Sequence, residues 1–216
     1  MSQEEKSEEP GNSLPRWLRR NFGTDYRRMR VYDISPDGHC LFRSVQKILE
    51  SIGVQRTLYE LRRVVADTVL DEKDHVTNET IQSWLELYKG AATEKDFYLM
   101  NEYRHMYALR EAAWPLCTEN RELLWQSMLT SQYWGEHHAC RIIEEQTQMR
   151  LLIINGDLKT PSLVWYHSSQ YKPTHYAIVF LSGQHYSPVS IDGKFIFKWT
   201  EVPTTVQLFM SQAYKK

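Results

Sequence analysis

From residue 151 onward the apolar residues of this chain stop falling at helical spacing and gather into short unbroken runs. LLIIN at 151–155, SLVWYH at 162–167, HYAIVFL at 175–181 and KFIFKW at 194–199 are rich in β-favouring residues. Each is broken off by Gly, Pro or polar turns, which is the pattern of strands. Upstream the period is different. Between Cys40 and Ile52, apolar side chains sit at 41, 42, 45, 48, 49 and 52, with Gly53 as a stop. A second set at 58, 61, 64, 65 and 69 predicts a helix over 58–70. Further helices are expected over 119–134 and 139–146, and a short one over 15–22, where Pro15 suits the first position. MRVYDI at 29–34 is a strand candidate that ends at the turn signal Ser35-Pro36. The span 75–115 reads as helical and aromatic-rich without a sharp period. Helices first and a sheet later predict one α+β domain, with helices covering a sheet.

A chain of 216 residues can bury a core without cross-links, so neither disulfides nor metals are required for stability. Its three cysteines, Cys40, Cys117 and Cys140, are odd in number and form no CxxC pair. That spacing predicts a reducing compartment, the cytoplasm or alternatively the nucleus. The net charge of −1 supplies no global field towards nucleic acid or membrane. No apolar run reaches the roughly 20 residues of a membrane span, and the acidic start MSQEEKSEEP lacks the apolar core of a secretory signal. Residues 1–14 are polar with little to bury and are expected to be a disordered acidic tail, leaving 15–216 as one domain. Six Arg between 16 and 30 read as a solvated or salt-bridged face rather than a nucleic-acid site.

The chemistry-bearing stretch is DGHCLFRSV at 37–45. Gly38 allows a sharp bend, and such a bend can aim successive N–H groups into one concavity suited to a developing oxyanion. Cys40 then opens a helix, where the positive end of the dipole favours thiolate. A cysteine at such a place is equally a small buried hydrophobe, so the turn alone leaves both roles open. Among eight histidines, His185 in GQHYSPV (183–189) follows an apolar strand and a turn. There its imidazole could take a thiol proton and return it to a leaving amine. His175 also precedes a Tyr but starts the preceding strand, at what should be the opposite end of the sheet.

DGHCLFRSV resembles the first motif of the ovarian tumour (OTU) family of cysteine deubiquitinases, and GQHYSPV resembles that family's C-terminal His-Tyr motif. QYWGEHHACRIIEEQTQMRLLII resembles its middle element of Trp-Gly, helix and strand. The likeness spans about residues 25–190, with all three elements in order. It implies a papain-like OTU cysteine protease fold, a central β-sheet packed between helices, with a helical insertion. It implies a deubiquitinase that hydrolyses the isopeptide bond after the C-terminal Gly-Gly of ubiquitin through a thioester, without cofactor. Cys40 would be the nucleophile, His185 the base and then the acid, and Asp37 part of the site as loop anchor or imidazole partner. Gly38 and His39 would belong to the oxyanion loop. Ubiquitin, polyubiquitin chains or ubiquitin-like modifiers would be the partners of a monomeric enzyme.

The sequence departs from the family pattern in four places. Ser187 stands where many relatives carry the Asn or Asp that orients the imidazole, so Ser187, Asp37 or Asp192 would do that task, or the enzyme works as a dyad. His39 replaces Asn. Glu136 and Ala139 stand where the middle motif has Gly and Glu. A stretch of about 45 residues between Leu70 and Pro115 exceeds the compact core; Trp84, Tyr88, Phe97, Tyr98 and Tyr103 within it could grip ubiquitin or simply pack. Tyr186 and Trp134 are candidate walls of a channel for the Gly-Gly tail, or core. Two other readings stand beside the enzyme: a non-catalytic ubiquitin-binding module on the same fold, and an OTU-like protease cutting a polyprotein, in host cytoplasm if viral. Cys117, His137, His138 and Cys140 do not have zinc-ligand spacing, and no metal is expected.

Overall fold

A computed structural model describes residues 14–71, 73, 78–79, 81–82, 118–131, 133–135, 137–163 and 172–211. Of the expected helical insertion only residues 71, 73, 78–79 and 81–82 are among these. Its aromatic residues lie outside them, as do residues 1–13 of the acidic tail, Glu136 and Cys117. Leu14, counted with the tail, is instead a core residue at 2% exposure.

Among the described residues six strands form one sheet. They are β1 (Met29–Val31), β2 (Met149–Asn155), β3 (Thr160–Leu163), β4 (His175–Ser182), β5 (His185–Ile191) and β6 (Ile196–Phe197). The order is β1-β5-β4-β2-β3, with β6 pairing onto β4. The β2–β4 pair is parallel and the others antiparallel. Side chains alternate across a strand, and both faces here are apolar, which is why LLIIN and HYAIVFL are unbroken runs. On one face Leu151, Ile153, Ala177 and Val179 meet the helices α2 (Cys40–Glu50), α3 (Leu58–Leu70), α4 (Thr118–Met128) and α5 (His137–Thr147). On the other, Leu152, Ile154, Ile178 and Val189 meet α1 (Leu18–Phe22) and α6 (Thr204–Ser211). Phe22 of α1 and Phe209 of α6 lie edge to face at 5.3 Å, an arrangement worth about 1 kcal/mol beyond burial. The architecture is the expected α+β one, a central sheet with helices on both faces.

The helix over 58–70 has the limits its spacing predicts. Thr57 Oγ1 accepts from the Glu60 N–H at 3.1 Å and the Glu60 carboxylate accepts from the Thr57 N–H at 2.7 Å, a reciprocal cap. The 119–134 expectation overran: α4 stops at Met128, and Tyr133 and Trp134 lie in the loop beyond. Strand β5 and helix α6 were not expected from the sequence. Pro188 argues against an interior strand, yet β5 lies between β1 and β4. The Pro188 carbonyl accepts from the Tyr32 N–H at 3.0 Å. The missing N–H faces the same side, where β1 has already ended at Val31.

Candidate active site

Gly38 makes the bend before α2. Its φ is +81°, and an added Cβ would lie 2.4 Å from the Ser131 carbonyl oxygen, so handedness and space both require glycine. Asp37 then locks the turn. Its carboxylate accepts from the His39 N–H at 3.1 Å and from Arg43 Nε and Nη2 at 3.0 and 2.7 Å. Those Arg43 bonds, ahead of the His39 N–H, hold its carboxyl below the usual range despite some burial. Asp37 is therefore an anchor of its own turn, bonded to Arg43 and not to His185.

The helix begins at Cys40 itself. The residue is 4% exposed, and Sγ lies 3.7 Å from the Gln184 carbonyl oxygen, towards which the S–H is directed. Backbone N–H groups of Tyr186, Leu41 and Cys40 also reach the sulfur and favour thiolate. Burial outweighs them and pushes the thiol pKa up. The expectation that the helix start would lower it is corrected here: the amides are present, but desolvation of the buried sulfur is the larger effect.

Strand β5 starts at His185, opposite Ser182 of β4. His185 sits between Gln184 and Tyr186, the two residues whose backbone reaches Cys40 Sγ. A further tie holds the elements together, because Ser44 Oγ in α2 donates to the Tyr186 carbonyl at 3.1 Å. Cysteine helix and histidine strand thus adjoin across 145 positions of sequence. The imidazole is half-buried, and no sulfur–imidazole hydrogen bond is present among the described residues. His175 lies at the other end of β4, where it pairs with Met149.

Asp192 is corrected. It lies beyond the far end of β5, roughly 20 Å from His185 at the rise of an extended strand, and binds Arg28 Nε and Nη2 at 2.8 and 2.6 Å. It does not orient the imidazole. Ser187 is two residues from His185 on the same strand, hence on the same face, and is buried. For Tyr186, read as channel wall or core, the structure gives core: it is 7% exposed and packs under α2. Trp134 is half-buried, in the loop whose Gly135 lies so close to Leu41 that a Cβ would meet Leu41 Cδ2 at 2.5 Å. This puts it beside the start of α2. Among the described residues no group of three or more His, Cys, Asp or Glu side chains could hold a metal ion, and no helix is long and apolar enough to cross a membrane.

One residue of the site escaped the sequence reading. Arg62 of α3 is 1% exposed and donates from Nε to His39 Nδ1 at 2.8 Å and from Nη2 to the Gly38 carbonyl at 2.8 Å. An arginine next to the Leu58–Leu61–Val65–Val69 stripe was the available signal.

No family model matches the sequence, and no curated protein matches it. Solved structures do match in shape. A structure of an OTU domain in complex with ubiquitin superposes with a TM-score of 0.54 at 16% identity, covering 87% of this chain and 88% of that one. Two structures of an OTU deubiquitinase from Wolbachia pipientis wMel, the second bound to ubiquitin, give TM-scores of 0.47 and 0.48 at 13% identity. They cover 81% and 78% of this chain and 94% and 99% of theirs. The fold of this chain is that of an OTU domain.

Proposed function

We propose that the chain is a cysteine-dependent deubiquitinase, with Cys40 as nucleophile and His185 as general base and acid. The observation that carries this is the junction of α2 and β5, which brings the backbone on either side of His185 to Cys40 Sγ. Substrate entry breaks the S–H contact to Gln184, and His185 takes the thiol proton. Sγ attacks the carbonyl carbon of ubiquitin's terminal Gly, and the tetrahedral oxyanion collapses to a thioester as His185 passes its proton to the departing lysine amine. Water, deprotonated by His185, then releases the free carboxylate and the thiol. The His39 N–H is committed to Asp37, so we assign the oxyanion to the Cys40 N–H, a helix-start donor without an intrahelical partner that favours the thiolate in the resting site. We assign to Ser187, on the same strand face as His185, the steadying of the imidazole.

The buried thiol with raised pKa favours a second reading, a ubiquitin-binding module without turnover. Ubiquitin carrying a C-terminal electrophile separates the two. The enzyme forms a covalent adduct that peptide mapping assigns to Cys40, lost in Cys40→Ala and slowed at least about a hundredfold in His185→Ala. A complex that forms without any adduct rejects the enzyme. An adduct as fast in His185→Ala as in the wild type rejects that residue as base.

A further inference from the structure

Arg62 has no carboxylate among the partners described for it. Besides His39 Nδ1 and the Gly38 carbonyl, its guanidinium donates from Nη1 to the Met128 carbonyl at 2.6 Å and from Nη2 to the Tyr133 carbonyl at 2.9 Å. Its flat face covers the Phe42 ring, 4.4 Å from the centroid. A buried cation held this way stays charged at neutral pH, because burial lowers its pKa only to about 10. Two of its four hydrogen bonds are spent on the turn that delivers Cys40. The Gly38–His39 peptide is thereby gripped at both ends, its carbonyl by Arg62 and its N–H by Asp37. The next amide along the chain is that of Cys40.

We propose that Arg62 is a positioning residue of the Cys40 site, which sets the angle of the Cys40 N–H by locking the Gly38–His39 peptide and holds the His39 ring as its Nε2–H tautomer. This rests on the proposed hydrolase function only for its effect on rate. Arg62 can only donate, so Nδ1 of His39 must be the acceptor and the proton must sit on Nε2. An imidazolium could not accept that bond. The charged groups acting on the ring are Arg62 from α3, Arg43 from α2 and Asp37 from the turn. Burial and Arg62 hold the His39 pKa below its usual value, with Asp37 opposing.

Two measurements test this on the full chain. In long-range proton–nitrogen NMR spectra, the His39 ring should show a bare Nδ1 and a protonated Nε2 and should titrate below the usual histidine range. Arg62→Lys and Arg62→Gln should return it towards ordinary titration. In hydrolysis of ubiquitin bearing a C-terminal fluorophore, Arg62→Lys should lower kcat by up to about 100-fold, the cost of a 1 Å misplacement, with KM little changed. His39→Asn, whose amide oxygen can accept the Arg62 bond, should retain most of the rate, whereas His39→Leu should lose it. If the Arg62 variants do not fold, the His39 pair carries the test. A folded Arg62→Lys enzyme with wild-type kcat overturns the proposal, as does His39→Leu at wild-type kcat. A His39 ring protonated on Nδ1 in the wild type also overturns it. A wild type that cleaves no ubiquitin substrate, yet whose His39 spectrum responds to Arg62 as stated, refutes the hydrolase and supports the clamp.

Discussion

Replacing Gly38 by alanine separates the two demands that the turn makes on that position. Gly53 supplies the control, because its φ of +78° nearly equals the +81° of Gly38 while nothing lies within 4 Å of its added Cβ. Gly53→Ala therefore carries only the handedness cost, about 1–2 kcal/mol. Gly38→Ala carries that and a backbone oxygen at 2.4 Å, where ordinary contact begins at 3.4 Å. The Ser131 carbonyl cannot turn aside as a flexible side chain can, so overpacking adds about 1–3 kcal/mol. Urea unfolding at unchanged m should then place Gly38→Ala about 2–5 kcal/mol below the wild type. In thermal melts each kcal/mol corresponds to about 2–4 °C for a chain of this size. Relief requires the turn to shift by about 1 Å, and a shift of that size next to the reacting sulfur lowers kcat on the order of 100-fold. Gly53→Ala should keep full kcat. Equal destabilisation of the two variants, or Gly38→Ala with normal turnover, would refute the claim that contact with Ser131 shapes the site.

Ser187→Ala should lower kcat about tenfold with KM little changed, less than the roughly hundredfold or more that a positioned acid or base itself contributes; unchanged kcat would leave His185 working without it. Glu144 provides a pH test. It is buried in α5, its Oε1 accepts the Leu151 N–H at 2.8 Å, and burial raises its pKa to about 8. Because the folded value exceeds the unfolded one near 4.5, its contribution to stability is complete below about pH 4.5 and is lost as pH rises through 8. Glu144→Gln keeps the acceptor and cannot ionise, so unfolding free energies of wild type and variant should diverge between pH 5 and pH 9, in the variant's favour at the alkaline end. Parallel pH profiles would show that Glu144 ionises freely in the fold.

What could be read in the sequence depended on how far the deciding interaction reaches. Helix α3 was legible because its apolar stripe lies within its own residues. Strand β5 was not, because what permits Pro188 there is the place where β1 happens to end, on a strand more than 150 residues earlier. Asp192 looked near His185 because seven residues separate them, but an extended strand turns seven residues into a distance no side chain can span. Asp37 could have capped its turn or faced the imidazole, and Arg43, one helical turn into α2, takes its free oxygen. Arg62 could not be placed at all. Its partners at 38–39, 128 and 133 come together only once α3 and α4 have packed.

The protonated resting thiol bears directly on the proposed mechanism. Burial favours the S–H form and the Gln184 carbonyl accepts it, while the amides of Tyr186, Leu41 and Cys40 favour the anion. Displacing the Gln184 carbonyl removes a group that stabilises only the neutral sulfur, and leaves the amides aimed at charge. A ligand seated in place of Gln184 would therefore lower the thiol pKa, while the pairing of His185 with Ser182 keeps the imidazole in place. Alkylation of Cys40 by a small uncharged reagent, followed across pH, measures this. Its apparent pKa should fall when a ubiquitin lacking a reactive C-terminus is bound, provided the reagent still reaches the sulfur. An apparent pKa already low in the free protein, and unmoved by ubiquitin, would mean that the sulfur is activated without displacing Gln184.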